Sequence, residues 1–343
     1  MRKLTAFIAW FVTISVAIAA DPPAPRPDPL DPSYQHDRWH TVPRDQVREY
    51  RAYITSFDGP DDNDGDGVGD LWGIPEWVSY EMHAAPPHAA YEPRPNPWLV
   101  DTDLYHQGIA PRDQSYVSSG YSRGHMCMRE HGRRLGKDAD WNTHNTLNAC
   151  PQDQSFNAGI WLGLEKKCGN WANVYGRVWV ICGPIVLNSQ GKHTPSAWIG
   201  DGNEKRVAVP DRFFKIVVKE SVNPERPDVL AFIYPHNAAL SSSAAGVDHR
   251  PYLVSVREVE RETGLKFFTT LAPADRDAIE ASPAINLWPE TAPHGPLAMG
   301  LLAEKSLELP AGEVSASTCA PQKFTYAERC RGCRRFHLFF RRR

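Results

Sequence analysis

The chain has 343 residues, of which 41% are hydrophobic, and it contains eleven tryptophans. This composition excludes an intrinsically disordered chain and supplies enough material for one large folded domain or two small ones. The formal net charge of −3 gives no global indication of nucleic-acid binding, so such a function must rest on local charge.

The N-terminus carries a targeting pattern. Arg2 and Lys3 precede an apolar run from Leu4 to Ala20, which ends in small residues typical of a signal-peptide cleavage site. An uncleaved membrane anchor is the alternative, but the run is at the short limit for spanning a bilayer. The sequence therefore predicts a signal peptide over residues 1–20, a secreted or periplasmic protein, and no stable membrane association after cleavage.

Two unusual stretches follow the apolar run. Residues 21–45 begin with a proline-rich segment and predict an extended linker rather than part of a core. The acidic, glycine-rich loop 62–70 has aspartates at positions 1, 3, 5 and 9 of an EF-hand-like loop, but position 12 is Gly73, so the bidentate Glu is missing. A structural Ca²⁺ and a solvated acidic turn therefore both stay open for Asp62, Asp64, Asp66 and Asp70.

The region from residue 46 to 308 predicts strands set among a few helices. Runs of β-branched and aromatic residues predict strands over 74–82, 177–182, 213–218 and 230–234. Helices are predicted over 157–167, where apolar residues recur at helical spacing, and over 256–262. Pro151 favours a loop over 147–157. Without regular alternation of strand and helix, the pattern predicts a single α+β domain over 46–308.

Residues 309–343 form a tail rich in cysteine and arginine. Cys330, Cys333 and the later His337 could bind Zn²⁺, but their spacing is poor and an exported protein favours oxidised cysteines. A basic, largely disordered tail is the favoured interpretation. Seven cysteines leave at least one thiol unpaired within the monomer. Two pairings are conceivable but cannot be assigned from sequence: Cys127 with Cys150, and Cys168 with Cys182.

Side chains suited to phosphodiester hydrolysis concentrate between Gly120 and Glu165. Such hydrolysis requires a base to activate water, a cation to offset charge on the phosphate, and groups that position the phosphate. His125 suits the role of base because its unperturbed pKa lies near working pH. Any one of the thirteen histidines is more often structural than catalytic, and it is the polar neighbours of His125 that distinguish it.

Asn157, Trp161 and Glu165 recur every four residues on the predicted helix and therefore lie along one face. The rise of ~12 Å between positions eight apart disfavours direct coordination of one ion by both Asn157 and Glu165. This predicts Asn157 as a direct metal ligand and Glu165 acting through metal-bound water, an arrangement that suits Mg²⁺. The alternative role for Asn157 is a helix N-cap.

Residues 121–137 contain five cations against a single acid, Glu130. An ordinary solvated face is the simpler interpretation. Beside a candidate phosphate site, however, the run predicts an electrostatic track for a polyanion. The five cations are Arg123, Arg129, Arg133, Arg134 and Lys137.

These residues resemble the DNA/RNA non-specific endonuclease family, the ββα-metal (His-Me finger) nucleases that include secreted bacterial enzymes and mitochondrial endonuclease G. The family pattern is Asp-Arg-Gly-His, followed by Asn-x-x-Pro-Gln-x-x-x-x-Asn-x-x-x-Trp-x-x-x-Glu. Further similar segments extend the resemblance from Pro75 to Phe268. It implies an antiparallel sheet core that carries a ββα-metal motif. The first part stands here as Ser122-Arg123-Gly124-His125, and the second is complete as Asn148, Pro151, Gln152, Asn157, Trp161 and Glu165.

The resemblance also implies roles for single residues. His125 would be the general base, Asn157 the single direct Mg²⁺ ligand, and Glu165 would hold metal-bound water. Arg123 would contact the scissile phosphate, and Asn148 would help to orient the site. The implied activity is endonucleolytic hydrolysis of DNA and RNA to 5′-phosphate ends, without sequence specificity and with Mn²⁺ able to substitute for Mg²⁺.

Two departures from the family pattern bear on this expectation. Ser122 replaces the usual Asp, which removes a carboxylate that could support the strand or Arg123. Met126-Cys127-Met128 replaces the usual Leu-Ala-Pro. Neither position is a base or a direct ligand in the family, so we expect retained activity. The alternative is a catalytically impaired, nuclease-like module that binds nucleic acid, and metal-dependent hydrolysis would distinguish the two.

Overall fold

The structure is a computed structural model, and it describes six stretches of the chain. The predicted signal peptide, the tail 309–343 and three of the four proposed calcium ligands (Asp62, Asp64 and Asp66) lie outside them. Within these stretches, no helix has both the length and the apolar character needed to cross a membrane. The described residues are 21–61, 70–87, 91–202, 204–223, 226–237 and 246–291.

The fold is organised on an antiparallel sheet. Eleven strands occur in the described residues: β1 (Gln46–Tyr50), β2 (Tyr53–Phe57), β3 (Pro75–His83), β4 (Ser122–His125), β5 (Ala149–Gln152), β6 (Arg177–Ile185), β7 (Ala197–Ile199), β8 (Val207–Val209), β9 (Arg212–Lys219), β10 (Asp228–Pro235) and β11 (Leu253–Val254). Seven of them form one sheet in the order β1-β2-β3-β6-β9-β10-β11, and β4–β5 and β7–β8 form two small pairs. The four strands predicted from sequence correspond to β3, β6, β9 and β10.

Seven α-helices accompany these strands in the described part: α1 (Thr102–His106), α2 (Arg129–Leu135), α3 (Lys137–Asn142), α4 (Gln154–Phe156), α5 (Leu162–Tyr175), α6 (Val256–Thr263) and α7 (Pro273–Glu280). A π-helical turn, Asn157–Trp161, joins α4 to α5 and is kinked at Gly159, whose φ of −98° and ψ of −108° are not helical. The helix predicted over 157–167 therefore continues to Tyr175, where Gly176 ends it with a φ of +85°. The helix predicted over 256–262 corresponds to α6.

Alternating side chains of the central strands cover the two faces of the sheet. On β6, Val178, Val180 and Cys182 belong to one buried cluster, whereas Trp179 and Ile181 belong to the other. This period of two is what a strand buried on both faces requires. The first cluster also contains the apolar side of α5, so the helix packs on that face of the sheet.

The segment expected to be a loop, 147–157, contains strand β5 and the start of a helix, so that prediction was wrong. In the β4–β5 pair, His125 lies opposite Ala149 and Arg123 lies opposite Pro151. A two-stranded pair leaves one edge of each strand without a neighbouring strand, and proline is tolerated at such an edge. The order β4, β5 and helix makes a ββα unit.

Residues 21–45 do not form the free spacer that their proline content predicts. Trp39 is only 3% exposed and packs edge-on against Trp179, with 5.6 Å between ring centroids. The carbonyl oxygen of Pro23 accepts a hydrogen bond of 2.9 Å from the N–H of Val100. Proline lacks a backbone N–H donor but keeps its carbonyl acceptor, so a proline-rich segment can still accept hydrogen bonds from the domain. Buried aromatic side chains such as Trp39 hold the remainder of residues 21–45 in place.

The four cysteines in the described residues are buried free thiols, so neither conceivable disulfide is formed. The Cys127 thiol donates to the carbonyl oxygen of Ala52, at 3.6 Å, and the Cys182 thiol donates to that of Met126, at 3.2 Å. These thiols act as small apolar core groups.

Candidate active site

A cleft of about 800 Å³ lies between β4, α2 and the helix of the ββα unit. The structure brings four predicted site residues to its lining: Arg123, His125, Asn157 and Glu165. The fifth, Asn148, is fully buried and does not belong to the lining. One strand and one helix therefore supply all four side chains.

His125 is the last residue of β4, and contacts with several neighbouring residues fix its position. A Cβ atom at Gly124 would lie 2.0 Å from the side-chain oxygen of Gln152, so any larger residue here would displace the Gln152 side chain. The Trp161 indole N–H donates to the carbonyl oxygen of His125, at 3.0 Å. The imidazole packs against Trp98 and His144, with centroid distances of 4.8 and 4.9 Å.

Burial, reinforced by the nearby His144 and by arginines, holds the pKa of His125 well below 6.5. The imidazole is therefore neutral at neutral pH and able to accept a proton. Its Nε2 atom is buried without a hydrogen-bond partner. This leaves Nδ1 as the ring nitrogen that can meet water in the cleft.

Asn148 secures the turn that follows His125. Its side-chain oxygen accepts from the Cys127 N–H at 2.7 Å, and its amide group donates to the carbonyl oxygens of Cys127 and Thr143, at 3.0 and 2.9 Å. These bonds satisfy the whole carboxamide inside the core. Asn148 can therefore position His125 without touching a ligand in the cleft.

The π turn places Asn157 and Glu165 at the cleft and leaves Trp161 fully buried between them. Asp153 is the N-cap of α4, since its side chain accepts from the N–H groups of Ser155 and Phe156 at 2.8 and 3.3 Å. The alternative N-cap role for Asn157 is thus wrong. π turns recur at functional sites because they displace side chains from regular helical positions.

Glu165 is a buried carboxyl group beside a buried cation that the sequence did not indicate. Burial raises the pKa of Glu165 to about 7, and Lys215 opposes this shift. Lys215 itself is fully buried, and its Nζ atom lies 4.0 Å from the ring centroid of Trp161. The available signal was a single lysine inside the apolar strand β9.

Arg123 has a carboxylate partner although the family Asp is absent. Its Nε atom lies 2.5 Å from Asp113 Oδ1, and Nη2 donates to the Asp113 carbonyl oxygen at 3.0 Å. The Ser122 hydroxyl meanwhile donates to the side-chain oxygen of Gln154. Asp113, which was not among the predicted site residues, therefore supports the arginine.

The predicted basic track is only partly present. Arg129 and Arg133 line the cleft, but Lys137 does not. Arg134 also lines it, yet its guanidinium donates to the carbonyl oxygen of His83 at 2.7 Å and is largely a structural group. Two further exposed cationic side chains, which the sequence pattern did not single out, also line the cleft: Arg94 and Lys166.

Comparison with known proteins identifies the family. The family model described as "DNA/RNA non-specific endonuclease" matches residues 68–274. The chain belongs to the DNA/RNA non-specific endonuclease family. The family resemblance and the predicted α+β, ββα-metal fold class are thereby confirmed.

Several family members are similar over part of their length. The chain is 30% identical to the human mitochondrial nuclease EXOG over 215 residues, 58% of this chain and 53% of that protein. It is 28% identical to the mitochondrial nuclease of Saccharomyces cerevisiae over 213 residues, 60% of this chain and 63% of the relative. The chain is 24% identical to the nuclease of Serratia marcescens over 216 residues, which are 61% of this chain and 74% of that protein. The chain thus spans about half to two thirds of its mitochondrial relatives.

A solved structure of EndoG in complex with EndoGI has the same fold. It superimposes with a TM-score of 0.54 and 25% sequence identity, over 66% of this chain and 87% of that one.

The cleft of this family member fits a hard, hydrated cation. Asn157 offers an amide oxygen, and the Glu165 Oε1 atom is buried without a hydrogen-bond partner. Oxygen donors of this kind suit Mg²⁺, which keeps several of its waters. In the described part of the chain, no three His, Cys, Asp or Glu side chains converge as a metal-binding group.

Proposed function

We propose that the protein is a Mg²⁺-dependent endonuclease that hydrolyses phosphodiester bonds in DNA and RNA without sequence specificity. The observation that supports it most is the meeting of a neutral imidazole, an amide and a buried carboxyl group in one cleft, on His125, Asn157 and Glu165. These are the groups that activation of water and binding of a hard cation require.

In this proposal His125 acts as the general base. Its depressed pKa leaves the ring neutral, and Nδ1 takes a proton from the attacking water. Asn148 and the Trp161 indole hold the backbone on either side of the ring. The ring can therefore accept the proton without a large movement, which lowers the cost of reaching the reactive geometry.

Asn157 would hold Mg²⁺ directly, and Glu165 would hold it through water. The cation would offset negative charge on the phosphate and on the leaving 3′-oxygen, and the product would carry a 5′-phosphate. Arg123, fixed by Asp113, would bind the scissile phosphate. Arg94 and Lys166 are placed to attract the flanking phosphates irrespective of base sequence.

We also propose that the protein is exported and that it binds a structural Ca²⁺. A secreted or periplasmic location rests on the N-terminal pattern, and N-terminal sequencing of protein recovered outside the cytoplasm would test cleavage near Ala20. A structural Ca²⁺ in loop 62–70 rests on the alternating aspartates of that loop. A melting temperature that does not change with Ca²⁺ would contradict this site.

The deciding experiment is hydrolysis of a supercoiled plasmid and of single-stranded RNA by the purified protein. We expect cleavage of both with Mg²⁺ or Mn²⁺, none with EDTA, and loss of cleavage in the His125→Ala variant. His106→Ala is the matched control, since that histidine is exposed and lies outside the cleft lining. An inactive wild-type protein would favour the impaired binding module, and full activity of His125→Ala would refute the assigned base.

A further inference from the structure

A second histidine, His236, lies directly behind the helix that carries Asn157. It follows β10, and its own N–H donates to the Asp211 carbonyl oxygen at 2.9 Å, which fixes it to the main sheet. The ring packs edge-on against Phe156 and Phe213, with centroid distances of 5.4 and 5.1 Å. His236 is not part of the cleft lining, so it cannot be assigned to the chemistry itself.

Both ring nitrogens of His236 are engaged with backbone groups. Nε2 lies 2.7 Å from the N–H of Asp153, and Nδ1 lies 2.8 Å from the carbonyl oxygen of Pro210. An N–H group can only donate and a carbonyl oxygen can only accept. The ring must therefore be neutral, with its proton on Nδ1 and an acceptor lone pair on Nε2.

The peptide of Asp153 links this bond to Asn157. The Asp153 N–H is held by His236, and the Asp153 carbonyl oxygen accepts from the Asn157 N–H at 2.9 Å. The Asp153 side chain caps the first turn of the same helix. Two successive hydrogen bonds thus connect the end of β10 to the backbone of Asn157.

The surroundings keep the His236 ring in its neutral form. Burial lowers its pKa, and the bond to Pro210 and the carboxylates of Asp153 and Asp211 only partly oppose this effect. Among the described residues, the titratable side chain of Tyr121 also packs against it, with 6.0 Å between ring centroids. A protonated ring would point an N–H at the Asp153 N–H and lose the bond.

We propose that His236 is a positioning residue whose Nε2 acceptor fixes the start of the helix, and thereby the placement of Asn157, for catalysis. The inference rests on the proposed function. Small displacements of a group that holds reacting partners lower the rate strongly, whereas binding of a long polyanion through many phosphates is affected little. Loss of the acceptor should therefore change kcat and metal affinity more than KM.

The experiment compares two variants with the full-length wild-type protein. His236→Phe keeps an aromatic ring between Phe156 and Phe213 but lacks the acceptor, and His236→Gln keeps one acceptor and one donor. Steady-state kinetics on a single-stranded oligonucleotide give kcat and KM. Electron paramagnetic resonance of Mn²⁺, without substrate, gives a metal dissociation constant that does not depend on turnover.

For His236→Phe we expect kcat to fall about tenfold or more, KM to stay within about twofold, and the Mn²⁺ dissociation constant to rise severalfold. His236→Gln should stay near the wild type in all three. Wild-type values in a folded His236→Phe, or equal losses in both variants, would overturn the inference. If His236→Phe does not fold, His236→Met replaces it, because its flexible side chain fills the space without a strong acceptor. A wild-type protein without metal-dependent activity would instead refute the proposed function.

Discussion

The cleft holds one buried carboxyl group with an oxygen that lacks a hydrogen-bond partner, and it borders another buried carboxyl group that is paired with arginine. We call the first region the floor and the second the wall. The floor consists of His125, Asn157, Glu165 and the neighbouring Lys215, and the wall consists of Arg129 and Asp140. On the floor, Glu165 Oε1 and the nearby Lys215 Nζ are buried without hydrogen-bond partners among the described residues. On the wall, fully buried Asp140 accepts from Arg129 Nε and Nη2 at 2.6 and 3.0 Å. Buried polar atoms without partners are costly and rare. The difference indicates that a polar ligand completes the floor at Glu165, whereas the carboxylate of the wall already has its partner.

The largest expected effect is on the floor. Replacing His125 by Ala should lower kcat by about a thousandfold, the usual scale for removing a general base, while the melting temperature changes little. Nuclease kinetics and thermal unfolding of the same samples would check this. A variant that loses activity only because it unfolds would remove the distinction between floor and wall.

Breaking the wall should have the reverse result. Asp140→Asn leaves Arg129 without its carboxylate in a largely buried place, so the free energy of unfolding should fall by about 3 kcal/mol. Because Asp140 is fully buried and is not part of the cleft lining, kcat of the folded protein should stay within about tenfold of the wild type. Urea unfolding and kinetics measure the two quantities. A loss of kcat without a loss of stability would place Asp140 among the functional groups.

Lys215 provides a sharper test within the floor. Lys215→Met removes the cation beside buried Glu165 at nearly constant volume, and we expect kcat to fall by about tenfold. Lys219→Met, on the same strand β9, removes a lysine whose partner is Asp228. This control should keep wild-type kcat. Equal behaviour of the two variants would show that the buried cation has no functional role.

The smallest expected effect is a displaced pH profile. At saturating Mg²⁺, kcat/KM should fall in acid as His125 gains a proton and can no longer accept one from water. In the free protein burial raises the pKa of Glu165 to about 7, but bound Mg²⁺ favours its ionised form. Burial depresses the pKa of His125, so at saturating Mg²⁺ the midpoint of this fall should lie below 6.5, the ordinary value for histidine. A midpoint above 6.5 would mean that another group limits the rate.

The meeting of three residues in the cleft could be predicted because they lie close together in sequence. His125, Asn157 and Glu165 come from one strand pair and the helix that follows it, so local spacing carried the information. Asp113 and Lys215 could not be found in this way. Each is recognisable only through a partner, Arg123 or Glu165, that the fold brings to it.

The two errors in the fold came from proline. Pro151 favoured a loop where β5 pairs with β4, because a two-stranded pair tolerates a residue without an N–H. The prolines of 21–45 favoured a spacer, whereas Trp39 and His36 of the same segment are buried. In both places, contacts with residues distant in the sequence determine the structure, and composition alone does not reveal such contacts.

The most direct test of the central claim is a titration of Mn²⁺ into wild-type protein and the Asn157→Ala variant, followed by calorimetry without nucleic acid. If a cation held by Asn157 completes the floor, the wild type should bind one more Mn²⁺ ion than the variant. Any ion bound by loop 62–70 would be present in both proteins and would cancel in the comparison. Identical stoichiometry and affinity in the two proteins would contradict the account.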